Sequence, residues 1–268
     1  MPDKTKKKNK YESVILGIFS KYHRAGATEF EFSRDDFEEI GRPLGLWPIK
    51  NIGDVVYSFR YRNELPDEIR RTATEGKEWI IVGAGHARYR FKQVRLNRIL
   101  PREELMAVKV PDATPEIISA YALSDEQALL AKVRYNRLVD VFLGIAAFSL
   151  QNHLRTTVKE VGQIEIDEIY VGIDRSGRQF VVPVQAKGGN DKHGVVQTQQ
   201  DILCCNEKFP HLVCRAVSAQ FMTEDRIAMF ELTVDDDEIK IVDERHYRLV
   251  PANEITAEDL RRYSMRTS

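Results

Sequence analysis

Apolar residues in the first hundred positions follow two different spacings along the chain. In ESVILGIFSKYH they recur every three or four residues, which predicts an amphipathic helix from Tyr11 to His23. TEFEF alternates apolar and polar residues and predicts a strand, after which Ser33 stands as the expected N-cap of a second helix. NIGDVVYSFRYRN returns to helical spacing, while EWIIVG and ARYRFKQV predict the two strands of a β-hairpin.

The predicted order of helix, strand, helix, helix and hairpin is that of a winged-helix domain, whose third helix can enter the DNA major groove. Polar and basic side chains on or beside that helix, and along one face of the hairpin, are therefore candidate DNA contacts. They are Lys50, Asn51, Ser58, Arg60, Arg62, Arg88, Arg90 and Lys92. The alternative is that the last three, spaced two residues apart, form only the solvated face of the hairpin.

The hydrophobic pattern changes after this first region. Residues 97–124 contain Pro101, Pro111 and Pro115 with little sustained periodicity, which predicts a linker. From Asp125 to Val158 few helix-breaking residues interrupt a helical pattern, so we expect one or two long helices there. The predicted domains are residues 1–96, which resemble a winged helix, the linker 97–124, and a second domain from 125 to 268.

Composition and charge narrow the class of protein. A hydrophobic content of 43% is typical of a globular chain, and no apolar run reaches the ~20 residues of a membrane-spanning helix. Three cysteines, two of them adjacent, match neither a zinc spacing nor a disulfide framework, so we expect a cytoplasmic protein. Residues 1–110 carry 22 basic and 16 acidic residues, net +6, which leaves 18 and 25, net −7, for the remainder. A basic N-terminal region favours a phosphate-rich partner and an acidic C-terminal region can hold cations.

The stretch from Gln163 to Gly189 carries the candidate chemistry. QIEIDEIYVGI and QFVVPVQAK predict two strands of a hairpin, joined by the turn residues DRSGR. Because successive side chains of a strand point to opposite faces, Glu165 and Asp167 share one face of their strand, as do Gln185 and Lys187. We therefore expect three polar groups and a lysine to converge.

These residue types suit the hydrolysis of a phosphodiester. The reaction needs a divalent ion to activate water and a cation to steady the charge that develops on phosphorus. Mg²⁺ prefers oxygen ligands and keeps several waters, so one or two carboxylates with a backbone carbonyl suffice. Asp167 is the expected anchor, Gln185 and the Ala186 carbonyl complete the metal set, and Lys187 is the expected cation.

In this arrangement the chain resembles the PD-(D/E)xK nuclease superfamily, which includes many type II restriction endonucleases, junction resolvases and repair nucleases. Asp167 matches the first acid of the motif, Gln185 to Lys187 match its second strand, and GGNDKHGVVQTQQDILCC matches the helix that follows. The resemblance covers roughly residues 125–232. It implies a restriction-endonuclease-like α/β core, a mixed central sheet flanked by helices, with Gln197 and Gln200 near the metal or the DNA backbone.

The chain departs from the superfamily pattern at Gln185, where an acid is usual. A neutral amide binds Mg²⁺ more weakly than a carboxylate and leaves the site one negative charge short. Glu165 is the first candidate to supply that charge, and Glu160 and Asp140, both expected on the preceding helix, are the next.

Each single residue also has a plainer interpretation. Asp167 and Lys187 can form a purely structural salt bridge. His193 is a conceivable general base, but it lies in a polar loop and is expected to be solvated surface. His153 and Arg155 are expected on the helix before the hairpin, where they either face DNA or, as we expect, simply lie on the helix surface.

The sequence therefore predicts a magnesium-dependent endonuclease of double-stranded DNA, and a type II restriction endonuclease in particular. The resemblance implies a 5′-phosphate product and a homodimer acting on a symmetric site. One alternative is a repair or junction-resolving nuclease, which recognises DNA shape. The other is a DNA-binding regulator whose nuclease core has lost activity through Gln185.

Overall fold

The computed structural model describes residues 10–95, 98–121, 126–159, 161–188, 193–222, 226–236 and 238–265, without the side chains of residues 61 and 62. The chain divides into two compact units, residues 1–97 with 157–162, and residues 98–156 with 163–268. Among the residues described, no helix is both long and apolar enough to span a lipid bilayer.

The first unit combines four helices with a three-stranded antiparallel sheet in the described residues, in the strand order β1-β3-β2. Its elements are α1 (Lys10–Tyr22), β1 (Glu29–Ser33), α2 (Asp35–Gly41), α3 (Ile52–Tyr57), a π-helical turn (Ser58–Arg62), α4 (Asp67–Arg70), β2 (Glu78–Gly83) and β3 (Arg88–Val94). A buried apolar cluster joins the helices to one face of the sheet, with Phe37, Phe91 and Ile15 fully buried. The predicted helices, first strand and hairpin are thus confirmed within a few residues at each end.

The N-terminus of α2 is formed differently from the prediction. Ser33 is the last residue of β1, and its backbone N–H and its hydroxyl both donate to Oδ2 of Asp36, at 2.7 and 3.1 Å. The residue preceding α2 is Arg34, and it makes no side-chain capping bond. The expected N-cap at Ser33 is therefore wrong, because the Asp36 carboxylate, rather than the serine oxygen, is the hydrogen-bond acceptor.

The second unit is built on a mixed eight-stranded sheet with helices packed against it. Its elements are β4 (Arg98–Ile99), β5 (Val108–Pro111), α5 (Glu116–Tyr121), α6 (Glu126–Tyr135), α7 (Leu138–Leu143), β6 (Ala146–Val158), β7 (Gly162–Ile173), β8 (Gln179–Lys187), β9 (His193–Gly194), α8 (Val195–Lys208), β10 (Val213–Cys214), β11 (Ala216–Phe221), β12 (Arg226–Asp235), β13 (Glu238–Val250), a 3₁₀ turn (Ala252–Glu254) and α9 (Ala257–Ser264). The strand order is β5-β13-β12-β11-β8-β7-β6, with β10 also paired to β8. The region expected to be a linker thus contributes β5 to the sheet.

The parallel pair β8 and β11 lies near the middle of this sheet, and α8 connects the two strands. β13 with β5 and β10 with β8 are also parallel. The antiparallel pairs are β7 with β8, β11 with β12 and β12 with β13. An apolar cluster from α6 and α7 covers one face, including Leu129 and Leu138 with Val184 of β8. The coarse expectation of a mixed α/β unit with helices on its sheet is confirmed.

The long helical region expected up to Val158 is wrong in its second half. α7 ends at Leu143, where Gly144 takes a left-handed conformation with φ +65°. The next 13 residues, from Ala146, form the edge strand β6 beside β7. Nearly all of β6 is solvent-exposed, so its sequence lacks the buried alternation that identifies a strand, and pairing with β7 decides its conformation. His153 and Arg155 therefore lie on a strand.

Candidate functional site

The candidate site lies where the pairing of β7 and β8 gives way to side-chain contacts. The register of the two strands runs from Ile173 opposite Gln179 to Glu168 opposite Val184. Immediately beyond this, the backbone N–H of Ala186 donates to Oδ2 of Asp167 at 2.9 Å. This hydrogen bond holds the Asp167 side chain against the main chain of β8 at Ala186.

Lys187 is paired with an acid that sequence reasoning missed. Its Nζ lies 3.2 Å from Oε1 of Glu126, the first described residue of α6. The lysine side chain is 18% exposed and the glutamate 41%, so the pair is reachable from solvent. The sequence predicted a helix here but carried no signal that the start of that helix lies beside the end of β8.

Asp167, Glu126 and Lys187 act on one another electrostatically. Burial raises the pKa of Asp167, the Ala186 N–H and the Lys187 ammonium oppose that rise, and the Glu126 carboxylate adds to it. The Lys187 ammonium and the Glu126 carboxylate are thus both near enough to Asp167 to influence its pKa.

Gln185 is turned into a buried hydrogen-bond network with α8. Its Nε2 donates to Oδ2 of Asp201 at 2.9 Å and to the backbone oxygen of Glu165 at 3.2 Å. Its Oε1, the atom expected to bind metal, accepts a hydrogen bond from Nε2 of Gln197 at 2.7 Å. Gln185 is 1% exposed, and its hydrogen bonds to Asp201 and Gln197 connect β8 to α8. This indicates a structural role for its side chain.

Asp201 is the second acid that sequence reasoning missed. It is buried on α8, and in the described part of the chain its Oδ1 has no hydrogen-bond partner. Burial raises the pKa of Asp201 well above its usual range, and the charge of Asp167 adds to the rise while the Gln185 amide opposes it. The available signal was an acid within the apolar face of a helix, beside the glutamines already singled out.

Glu165 occupies the rim of the site, where its charge is already matched. Its carboxylate lies 3.1 Å from Nε of Arg155 and 3.5 Å from Nδ1 of His153, both on β6. The side chain is 41% exposed. Glu165 was expected to add negative charge beside Asp167, but its carboxylate instead contacts Arg155 and His153.

The remaining candidate acids and the helix glutamine lie elsewhere. Oδ1 of Asp140 accepts the backbone N–H of Ala147 at 3.0 Å and pairs with Arg137, so this acid joins α7 to β6. Glu160 lies outside the described residues. Gln200 is buried on α8.

His193 is buried, and its expected place on the solvated surface is wrong. It is 1% exposed, one ring nitrogen bonds with the Thr198 hydroxyl, and its Nδ1 has no partner among the residues described. Burial, with a contribution from the charge of Lys187, lowers the pKa of His193 to about 3. The polar loop sequence around it gave no sign that β9 pairs with β4 or that the imidazole is buried.

The site offers few protein ligands for a hard cation such as Mg²⁺. In the described ranges no group of three or more His, Cys, Asp or Glu side chains is placed to hold a metal. Mg²⁺ retains several waters and needs only one or two carboxylates from the protein. Asp167 and Glu126 are two carboxylates whose charges interact.

In the first unit, the basic side chains of the hairpin are engaged with acids of β1. Arg88 and Arg90 both pair with Glu31, the second at 2.7 Å, and Lys92 stands opposite Glu29 in the strand register. Cross-strand ion pairs of this kind reduce the net positive charge of the face.

The candidates on and beside α3 differ in how exposed they are. Lys50 and Asn51 are exposed, and Oγ of Ser58 accepts a hydrogen bond from Asn63 at 2.6 Å. Nε of Arg60 donates to the backbone oxygen of Ile81 at 3.0 Å, with the guanidinium over the Tyr89 ring. The structure does not describe the side chain of Arg62.

A scan against protein-family models, a search of curated proteins and a search of solved structures each found no match to this chain.

Proposed function

We propose that this protein is a magnesium-dependent endonuclease that hydrolyses phosphodiester bonds of double-stranded DNA. The observation that carries the proposal is the grouping of Asp167, Glu126 and Lys187 beside the end of the β7 and β8 pairing. Two carboxylates and an ammonium group in partial contact with solvent match the needs of phosphodiester hydrolysis.

Three groups of this chain would hold the ion: the Asp167 and Glu126 carboxylates and the Ala186 carbonyl. Bound there, Mg²⁺ would polarise the phosphoryl oxygen and lower the pKa of an attacking water. Glu126 supplies the negative charge that the amide of Gln185 cannot. This assignment replaces Gln185 as a ligand and gives it a positioning role between β8 and α8.

Lys187 has two tasks in the proposed reaction. Its ammonium group, oriented by Glu126, hydrogen-bonds to the attacking water and places it opposite the leaving oxygen. The same charge stabilises the additional negative charge on phosphorus as the new bond forms. The attacking water loses a proton to solvent as its oxygen bonds to phosphorus, and the bond between phosphorus and the 3′ oxygen breaks as that oxygen takes up a proton from solvent. This leaves the 5′-phosphate that the superfamily resemblance implies.

The architecture of both units supports the same proposal. The mixed sheet, with α8 connecting the parallel strands β8 and β11, suits a restriction-endonuclease-like core. The element order of the first unit and its strand order β1-β3-β2 suit a winged-helix domain that reads DNA. A homodimeric type II restriction endonuclease combines these features, since two copies read a symmetric site.

The decisive experiment is cleavage of supercoiled plasmid with Mg²⁺ by the full chain, alongside Lys187→Ala and an EDTA control. We expect nicked and linear products from the wild type alone. Discrete bands from a complex DNA favour the restriction enzyme, and preferential cutting of branched duplexes favours the resolving nuclease. Binding without any cleavage would leave only the inactive regulator, whose basis would be the amide at Gln185.

A further inference from the structure

His153 has a backbone conformation that is unusual for a residue inside a strand. It lies in β6 with φ +47°, in the left-handed region that glycine and asparagine enter most easily. A side chain in that region costs conformational energy relative to glycine. Such a residue persists where surrounding contacts hold it, and strained residues of this kind cluster at functional sites.

The contacts of His153 place its ring next to the proposed catalytic residues. Its Nε2 lies 2.9 Å from Nε2 of Gln127, the residue after Glu126. Its Nδ1 lies 3.5 Å from Oε1 of Glu165, two residues before Asp167 on β7. The ring is therefore contacted on one side by the residue that follows Glu126 and on the other by the residue two positions before Asp167.

The imidazole is also accessible and electrostatically linked to the site. Its side chain is 47% exposed. Its charge contributes to lowering the pKa of Asp167, against the burial that raises it. When protonated, this exposed ring has an N–H on each nitrogen and a positive charge, so beside a proposed phosphate site it is suited to hydrogen-bond a phosphate oxygen.

We propose that His153 contacts the DNA phosphodiester backbone next to Asp167 and so positions the substrate in the site. The inference rests on the proposed nuclease function and deepens it. In the protonated ring, Nδ1–H faces the Glu165 carboxylate and Nε2–H donates to a non-bridging phosphate oxygen, which takes the place of the exposed Gln127 amide. The strained backbone is what directs this side chain from the edge strand toward the site.

The backbone conformation makes a sharp test possible. His153→Gly removes the ring and relieves the φ strain, while His153→Asn tolerates the same φ and keeps a shorter hydrogen-bonding group. Asp236→Gly is the matched control, because Asp236 has φ +50° in the turn between β12 and β13. KM and kcat for plasmid cleavage, Kd for a duplex carrying a mapped cut site, and Tm are measured for all four proteins.

We expect His153→Gly to keep or raise Tm and to raise KM and Kd at least tenfold, with a smaller rise for His153→Asn. Asp236→Gly should keep wild-type KM and Kd. If the wild type cuts DNA and His153→Gly shows unchanged KM and Kd, the contact is refuted while the nuclease proposal stands. If the wild type neither cuts nor binds DNA, both fail together.

Discussion

Nζ of Lys187, the last residue of β8, lies 3.2 Å from Oε1 of Glu126, the first described residue of α6. A strand end and a helix start that are 61 positions apart in the chain thus share one ion pair. The pair gives the proposed site a second carboxylate, and it orients the ammonium group that the proposed reaction needs.

Glu126→Gln should abolish cleavage while leaving the fold intact. The substitution removes a proposed metal carboxylate, so we expect the plasmid-nicking rate at saturating Mg²⁺ to fall at least a hundredfold. A partly exposed pair of this type contributes only about 0–1 kcal/mol to stability. Glu258→Gln, which removes an exposed acid paired with Arg262 on α9, is the matched control and should cut normally. Wild-type nicking by Glu126→Gln would contradict this role.

Two substitutions of Asp167 should separate chemistry from stability. Asp167→Asn keeps an oxygen that accepts the Ala186 N–H, whereas Asp167→Ala leaves that buried donor without its acceptor. Both variants should lose cleavage. Only the alanine variant should lose about 1–3 kcal/mol in the free energy of unfolding, measured by denaturant titration. Equal stability of the two variants would show that the hydrogen bond contributes little.

Restoring the acid at Gln185 should require a compensating change at Asp201. Gln185→Glu places a second buried carboxyl beside Oδ2 of Asp201 and removes the donor between them, so it should destabilise the fold by about 1–3 kcal/mol at pH 7. Adding Asp201→Asn should recover most of that loss. Denaturant unfolding of the four proteins in this double-mutant cycle measures the coupling, and an additive result would contradict the pairing.

Asp201→Asn alone should show a specific pH dependence. The pKa of Asp201 is raised in the fold, so ionisation in the unfolded chain lowers wild-type stability as pH rises above about 3.8. Each unit of pKa shift corresponds to about 1.4 kcal/mol. The asparagine variant should therefore be the more stable protein at pH 7, and its advantage should disappear below about pH 4. A constant difference between pH 3 and 7 would refute the raised pKa.

His193 should produce the opposite pH dependence. Its pKa is lowered to about 3 in the fold from 6.5, because the buried imidazole stays neutral. The unfolded chain binds a proton first, so stability should fall as pH drops from 6.5 toward 3, by up to about 1.4 kcal/mol per pH unit. His193→Gln, which can still bond to Thr198, should have a shallower profile in the same titration. Parallel profiles for the two proteins would contradict a neutral buried histidine.

Glu31 should limit DNA binding by the hairpin of the first unit. Because its carboxylate pairs with Arg88 and Arg90, Glu31→Gln should free the Arg88 guanidinium for phosphate, while Arg90 keeps its ion pair with Glu29 at 3.7 Å. We expect a several-fold rise in affinity for a nonspecific duplex and a salt dependence steeper by about one. Glu38→Gln changes net charge equally by removing an acid paired with Arg42 on α2. Equal gains in both variants would exclude the hairpin as the contact surface.

Local pattern was a good guide where one face of an element is buried. The apolar spacing of α1, the alternation of β2 and β3, and the turn residues between β7 and β8 each specify an element through short-range physics. The same approach failed for β6, because an exposed edge strand has no buried face to mark it. Local pattern also placed His193 at the surface, because the polar residues around it do not indicate that its imidazole is buried in the fold.

The candidate site was partly predictable for a related reason. Asp167 lies in the middle of β7, next to the last residue paired with β8, and Lys187 ends β8. A tight turn joins the two strands, and their antiparallel pairing brings such positions close. Glu126 and His153 come from a helix start and an edge strand, whose approach depends on how α6 and β6 pack on the sheet. No local spacing encodes that approach.

Hydrogen bonds and turns between near neighbours specify the hairpin carrying Asp167 and Lys187, the helix after it, and the helix and strand order of the first unit, so the amino-acid pattern alone predicts these. The pairing of Glu126 with Lys187, the joint burial of Gln185 and Asp201, and the place of His153 at the rim became known from the folded structure. Those contacts join residues far apart in the chain, and they form when burial of the sheet between its helices brings the elements together.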